Sequence, residues 1–247
     1  MTTAVRKTLV IFGVAAAIGV PLVQTTQGLG LSAAEFSRAG DATLRAAPYA
    51  FSIWGLIYLG LAAYAVYQAR ARRAPALDAF GWPSVVATFA CAFWIVASAM
   101  DLKAATIAII LVGAGTAILP LWRRARAAST TEALLVVAPN AMLAGWLTIA
   151  SALNIVNVLT AWTVITPQTA LAAALAAIGV VALVAITVAL RARSWIYPLP
   201  IIWGLAAVYA AHRLDKPLIA QTAVAAALVL VVVALVAAAT GRRGRKA

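Results

Sequence analysis

Long apolar runs, separated by short polar linkers, follow one another along the whole chain. A helix of about 20 apolar residues crosses the roughly 30 Å hydrocarbon core of a bilayer, because it satisfies its own backbone hydrogen bonds. The pattern therefore predicts about eight transmembrane helices. Their approximate bounds are 8–24, 48–67, 83–100, 104–122, 133–158, 169–190, 195–211 and 217–239.

The linkers and the charge pattern of the runs add further expectations. Only Asp101, Leu102 and Lys103 separate the third and fourth runs, so these two helices are predicted to be antiparallel neighbours. No charged residue lies near the middle of a predicted span, whereas ion pumps and proton-coupled carriers usually keep one there. The longest linker, residues 25–47, follows the first helix.

Composition supports the same fold class, an all-α polytopic transmembrane helical bundle. Hydrophobic residues make up 65% of the 247 residues and charged residues only 10%, so a water-soluble domain of this size could not cover its surface with polar groups. Cys91 and His212 are the single residues of their types, which excludes a disulfide framework and argues against a metal site. Cys91 is interpreted as small core filler.

The formal net charge of +13 comes from short basic clusters between the apolar runs, which indicates membrane topology and argues against a nucleic-acid partner. With the N-terminus in the cytoplasm, 14 of the 19 Lys and Arg residues fall on the cytoplasmic side. These are Arg6, Lys7, Arg70, Arg72, Arg73, Arg123, Arg124, Arg126, Arg191, Arg193, Arg242, Arg243, Arg245 and Lys246. The outer side keeps Arg38, Arg45, Lys103, Arg213 and Lys216. Eight helices with both ends in the cytoplasm are therefore predicted.

The first run has a second interpretation. Arg6 and Lys7 before a short apolar stretch also describe a secretory signal peptide, and the small residues around Ser32 would suit a cleavage site. Cleavage would leave seven helices and an N-terminus on the outside.

Tryptophan and asparagine side chains interrupt several of the runs. The tryptophans at predicted span ends, where an interfacial belt is usual, are Trp82, Trp122, Trp162 and Trp195. Four other tryptophans lie inside predicted spans, where they are either packed core residues or part of a pocket wall: Trp54, Trp94, Trp146 and Trp203.

Two further pairs of side chains carry structural expectations. Trp54 and Tyr58 are four residues apart, so their rings are expected to stack on one helix face. Asn154 and Asn157 are expected to face other helices, as interhelical contacts or as a pocket wall.

With these motifs the chain resembles the translocator proteins, also called tryptophan-rich sensory proteins or peripheral-type benzodiazepine receptors (the TspO/MBR family). In the second helix the family's proline-aromatic-Trp-x-x-x-Tyr pattern is matched by Pro48, Phe51, Trp54 and Tyr58. In the fifth helix its Pro, Trp and Ala-Thr-x-Leu-Asn pattern is matched by Pro139, Trp146, Ala150, Ser151, Leu153 and Asn154. In the third helix Trp94 corresponds to the Trp of the family's Asn-x-x-Trp.

The match to the family pattern has departures. Cys91 stands where the family usually has Asn, and Asn140 where it usually has Tyr. Phe51 lies one residue closer to Trp54 than in the shorter members, and Pro139 lies farther from its Trp. The resemblance divides the chain into a five-helix core at 1–160, followed by three additional helices and a basic cytoplasmic tail at 161–247, as in the longer bacterial and archaeal relatives.

The resemblance implies an apolar, aromatic pocket in the five-helix core, covered by the linker 25–47. Family members bind porphyrins, haem and sterol-like or drug-like planar molecules. The predicted ligand-binding residues are Phe51, Trp54, Tyr58, Trp94, Trp146 and Asn154. No catalytic residue, metal ligand or required cofactor is expected, although a bound tetrapyrrole is implied. Arg38 or Arg45 in the covering linker would either pair with a propionate group of the ligand or remain in contact with solvent.

These observations predict a membrane receptor or carrier with a sensory or regulatory role, in a bacterial inner membrane. Its expected partners are the lipid bilayer, a planar apolar small molecule and, as an open question, a second copy in a homodimer. One alternative is a small-solute transporter, favoured by the Ile-Trp-Gly-Leu sequence that recurs at Ile53 and Ile202 in oppositely oriented helices. An enzyme acting on a pigment or lipid is a further alternative, although the spans lack paired carboxylates and a nucleophile with a nearby base.

Overall fold

The computed structural model describes residues 3–71 and 74–243. That part of the chain is helical and contains no strand, which confirms the predicted all-α class. Its long helices are α1 (Thr3–Gln27), α2 (Ile53–Arg70), α3 (Pro75–Ala99), α4 (Lys103–Trp122), α5 (Ala138–Ala161), α6 (Ala170–Ala192), α7 (Pro198–His212) and α8 (Pro217–Arg243). A 3₁₀ turn, Pro48–Ser52, leads into α2, and a π-helical turn, Ala133–Val137, leads into α5.

Helices α1 to α5 form a closed ring. Helix α1 packs against α2 and α3, α3 packs against α4, α4 against α5, and α5 against α2. Helices α6, α7 and α8 pack together beside this ring, mainly against α5. The predicted α3–α4 hairpin is confirmed, with Asp101 at a left-handed φ of 54° in the turn and the two helices in contact along most of their length.

Seven helical segments in the described ranges are long and apolar enough to cross a membrane, so this is a multi-pass membrane protein. The exception is α7, whose 15 residues span only about 22 Å. Residues 194–197 before it enter the bundle without helical structure, and the buried Tyr197 hydroxyl lies 2.8 Å from that of Thr148 in α5. A Cβ on Gly145 would lie 2.1 Å from the Tyr197 carbonyl oxygen, so this close approach requires glycine. Non-helical backbone at membrane depth is tolerated where protein surrounds it.

The predicted cytoplasmic linkers that the structure describes lie at one end of the bundle, because the helices alternate in direction. Arg6 near the start of α1 is paired with Asp78 near the start of α3, at 3.0 Å. Arg191 at the end of α6 donates to the carbonyl oxygen of Trp122 at the end of α4, at 2.9 Å, and lies over its indole ring. Of the predicted cytoplasmic cluster, Arg72, Arg73, Arg245 and Lys246 and the side chains of Arg242 and Arg243 lie outside the described residues.

The third span departs furthest from its approximate predicted boundary. Helix α3 begins at Pro75 and not at Pro83, because a proline is accommodated at the first helical position and the Glu132 carboxylate accepts a hydrogen bond from the Ala76 N–H at 3.2 Å. Trp82 is therefore half-buried inside a helix. The seventh span begins as a helix only at Pro198. The other predicted belt residues are exposed at helix ends or in the linker before α7: Trp122, Trp162 and Trp195.

Candidate ligand cavity

A cavity of about 540 Å³ lies inside the ring, between α2, α3, α4 and α5. All six predicted site residues line it: Phe51, Trp54, Tyr58, Trp94, Trp146 and Asn154. They come from α2 and the 3₁₀ turn before it, from α3 and from α5, so only the fold brings them together. Most of the remaining wall is formed by small or aliphatic side chains, and the buried Cys91 belongs to it.

The aromatic wall of the cavity is built from α2 and α5. Trp54 and Tyr58 are stacked, with ring centroids 5.1 Å apart and an interplanar angle of 27°, as their spacing predicts. Trp146 of α5 meets Trp54 edge-on at 6.2 Å and Phe51 edge-on at 6.5 Å. These contacts leave ring surfaces facing a space that a flat apolar molecule could occupy.

Residues 32–47, here called the covering segment, close one end of the cavity, as predicted for the linker after α1. The segment starts with a short helix, Ala33–Phe36, whose capping box joins Ser32 and Glu35. Hydrogen bonds from the Ser32 backbone N–H and hydroxyl hold the pKa of the Glu35 carboxyl below its ordinary value. The helix places Phe36 edge-on against Trp94, with centroids 5.8 Å apart. The covering segment is therefore ordered by its own sequence and packs directly on a cavity residue.

Asn157 of α5 holds the covering segment in place. Its side-chain oxygen accepts a hydrogen bond from the Gly40 N–H, and its amide nitrogen donates to the Phe36 carbonyl oxygen at 3.0 Å. A Cβ on Gly40 would lie 3.0 Å from the Asn157 Cα, so the segment approaches α5 closely here. Asn157 therefore bonds the covering segment and also lines the cavity, which agrees with the pocket-wall interpretation of the sequence.

Asn154, one turn earlier on α5, is only partly satisfied. Its amide nitrogen donates to the Thr106 hydroxyl of α4 at 3.2 Å, while its side-chain oxygen has no hydrogen-bond partner among the described residues. The indole nitrogen of Trp94 is likewise buried without a partner in the part of the chain that the structure describes. Buried polar groups normally have hydrogen-bond partners, so these two atoms are exceptions in this part of the bundle.

Both arginines proposed for a ligand's acidic group line the cavity within the covering segment. Arg38 is exposed. The Arg45 guanidinium donates to the Ala211 carbonyl oxygen at 3.1 Å and lies 3.6 Å from the Asp215 carboxylate. The Arg45 backbone N–H donates to Nε2 of the buried His212 at 3.0 Å. Arg45 is therefore already held by the end of α7, and Arg38 is the more accessible cation.

Helix α7 completes the site, and no motif in the sequence predicts this contribution. The Trp203 indole N–H donates to the Ala50 carbonyl oxygen at 3.1 Å, and the Ala47 N–H donates to the Ala207 carbonyl oxygen at 3.0 Å. Ala211 and its neighbour Ala210 line the cavity. No motif marks these alanines. Asn157 was easier to predict from the sequence, because it lies three residues after Asn154 and therefore on a neighbouring face of the same helix.

Fold and cavity together define a class: a multi-pass helical membrane protein with an aromatic-walled internal site beneath a covering segment. A family model described as TSPO-like protein matches residues 7–236. The chain belongs to the TSPO-like protein family, which confirms the resemblance and extends it beyond the five-helix stretch into α8. Comparisons with curated proteins and with solved structures found no match.

Proposed function

We propose that this protein is a membrane receptor or carrier, with a sensory or regulatory role and no catalytic activity of its own, that binds a planar apolar molecule in the cavity. The observation that carries the proposal is the convergence of all six predicted residues on one cavity of about 540 Å³. That volume lies within the range of ordinary ligand pockets. Membership of the TSPO-like family adds support.

A tetrapyrrole such as a porphyrin suits the residues present. Its flat faces would pack on the Trp54 and Tyr58 rings and on the edge of Trp146, since stacked and edge-on arrangements both stabilise aromatic contacts. Its acidic substituents would point toward the covering segment, where Arg38 offers a guanidinium for a charge-assisted hydrogen bond. A sterol-like molecule would use the same apolar wall without that ion pair.

The distribution of basic residues supports an orientation in a bacterial inner membrane. The bundle end that carries Arg6 and Arg191 would face the cytoplasm, since cytoplasmic linkers carry the excess of Lys and Arg. The covering segment and the cavity mouth lie at the opposite end and would face outward.

Titration of the purified protein with protoporphyrin, followed by tryptophan fluorescence, tests the proposal. We expect saturable quenching in the wild type and an affinity at least about tenfold lower in the double variant Trp54→Ala plus Trp146→Ala, because two aromatic contacts are lost. The matched control is Trp162→Ala plus Trp195→Ala, which removes two exposed indoles at helix ends. Unchanged wild-type emission, or equal affinities in the two double variants, would contradict the proposal.

A further inference from the structure

The end of α7 holds one end of the covering segment. Residues 44–47 of that segment all line the cavity, and they are joined to α7 by hydrogen bonds to Ala207, Ala211 and His212. We propose that this contact is a pH-sensitive latch, which is closed while the imidazole of His212 is neutral and releases residues 44–47 when that imidazole takes up a proton. The latch is a property of the fold and needs no ligand, whereas its consequence for access to the cavity rests on the proposed function.

One hydrogen bond fixes the protonation state of His212 in the closed form. The Arg45 backbone N–H donates to Nε2 at 3.0 Å, so Nε2 must keep its lone pair and the hydrogen of the neutral ring must be on Nδ1. A proton on Nε2 would bring two N–H donors together. Because His212 is fully buried, it takes up this proton only after residues 44–47 have moved away, and they can return only when the proton has left.

Four charged groups in the described ranges act on the imidazole, and together they do not compensate for its burial. The covering segment contributes Arg45 and Asp41, and the linker after α7 contributes Asp215 and Lys216. The Asp215 carboxylate lies 3.7 Å from Nδ1, too far for a hydrogen bond, and it is shared with the Arg45 guanidinium at 3.6 Å. Burial, followed by the nearby Lys216 ammonium, lowers the pKa of His212 below its ordinary value of 6.5.

Acid therefore weakens the closed form of the latch. Because the pKa of His212 is lower in the closed form than in the open form, the open form binds more protons, and closure becomes less favourable as the pH falls below 6.5. A single proton changes the closing equilibrium by at most about tenfold per pH unit. Phe36 and Gly40 do not depend on the latch, since Asn157 holds them through its own hydrogen bonds.

Amide hydrogen exchange of the full-length protein in detergent, corrected for intrinsic rates, tests the latch without a ligand. We expect the Arg45 and Ala47 amides to exchange at least about threefold faster at about pH 5.5 than at about pH 7.5. The Gly40 amide, which Asn157 holds, should keep its corrected rate over this range.

Two variants show whether His212 is the group that titrates. His212→Gln keeps an acceptor for the Arg45 N–H but cannot be protonated, so its exchange should not depend on pH over this range. The matched control, Glu35→Gln, removes another titratable group near the cavity mouth and should keep the full wild-type acceleration. Circular dichroism first checks each variant for wild-type helicity.

A second measurement needs no variant. His212 is the chain's single histidine, so the NMR signal of its imidazole Cε1–H can be followed without ambiguity. We expect this signal to titrate below pH 6.5. A midpoint at or above that value, Arg45 exchange that does not respond to pH, or an equal response in His212→Gln would overturn the latch.

The dissociation rate of protoporphyrin tests the consequence for the cavity. We expect acid to raise this rate at least about threefold more in the wild type than in His212→Gln, and the matched comparison cancels any titration of the porphyrin itself. Equal responses would overturn the role of the latch in ligand access. Failure of protoporphyrin to bind at neutral pH would contradict the proposed function and leave the latch to the exchange and NMR results.

Discussion

The covering segment and the cavity wall both depend on an asparagine of α5, and the two asparagines are used differently. Asn157 joins α5 to the covering segment with both ends of its amide engaged. Asn154, three residues earlier, bonds Thr106 with one end of its amide, and its oxygen has no partner among the described residues. Two asparagines on one helix therefore contribute unequally to the fold, because a buried amide stabilises the native state most where both of its ends are satisfied.

Replacing each asparagine by leucine should have clearly different effects on stability. Asn157→Leu leaves the Gly40 N–H and the Phe36 carbonyl without their partner, so we expect it to lower the free energy of unfolding by about 2–5 kcal/mol. Asn154→Leu removes one hydrogen bond from Thr106, which keeps its bond to Lys103, so we expect a loss of at most about 1 kcal/mol. Denaturant unfolding in detergent, followed by circular dichroism, measures both. Equal losses in the two variants would remove the distinction.

A smaller effect is expected at the contact between α7 and the turn that follows the covering segment. Trp203→Phe keeps an aromatic ring but removes the donor to the Ala50 carbonyl oxygen, at a cost of about 1 kcal/mol. Because proteolysis tracks the population of the open form, tryptic cleavage at Arg38 and Arg45 should accelerate about fivefold. Trp195→Phe, at an exposed indole outside the cavity, is the matched control and should cleave at the wild-type rate. Equal rates in the two variants would mean that α7 does not hold the segment closed.

The smallest effect concerns the capping box of the covering segment. The pKa of Glu35 in the folded protein is below its ordinary value of 4.5, so the ionised carboxylate stabilises the short helix Ala33–Phe36 above that pH. This contribution is lost as the pH falls through the lowered folded value. Hydrogen exchange of residues 33–40, corrected for intrinsic rates, should therefore accelerate below about pH 4.5 in the wild type. Glu35→Gln should not show this pH dependence; if it does, another group is responsible.

Features set by local periodicity could be predicted from the sequence. The apolar runs predicted the helices, and the three-residue linker predicted the α3–α4 hairpin. The i, i+4 spacing predicted the stacking of Trp54 on Tyr58. The candidate site residues were found because the resemblance supplied motifs on α2, α3 and α5. The structure then brought these residues to one cavity.

Features set by contacts between distant segments could not be predicted. Helix α3 starts early because Glu132, 56 residues later, accepts from the N–H of Ala76. Helix α7 starts late because the backbone at Tyr197 packs against Gly145. Composition marks neither contact, since each depends on how the helices are arranged in three dimensions.

Cys91 allows the most direct test of the claim that a planar ligand occupies this cavity, because its buried thiol belongs to the wall and it is the chain's single cysteine. We would measure its labelling by methyl methanethiosulfonate with and without protoporphyrin. At about ten times the dissociation constant the free fraction falls about tenfold, and the labelling rate should fall equally. The control is Leu214→Cys with Cys91→Ala, which places the thiol at a residue that is 90% exposed and should label at an unchanged rate. An unchanged rate at Cys91 under saturating protoporphyrin would contradict the account.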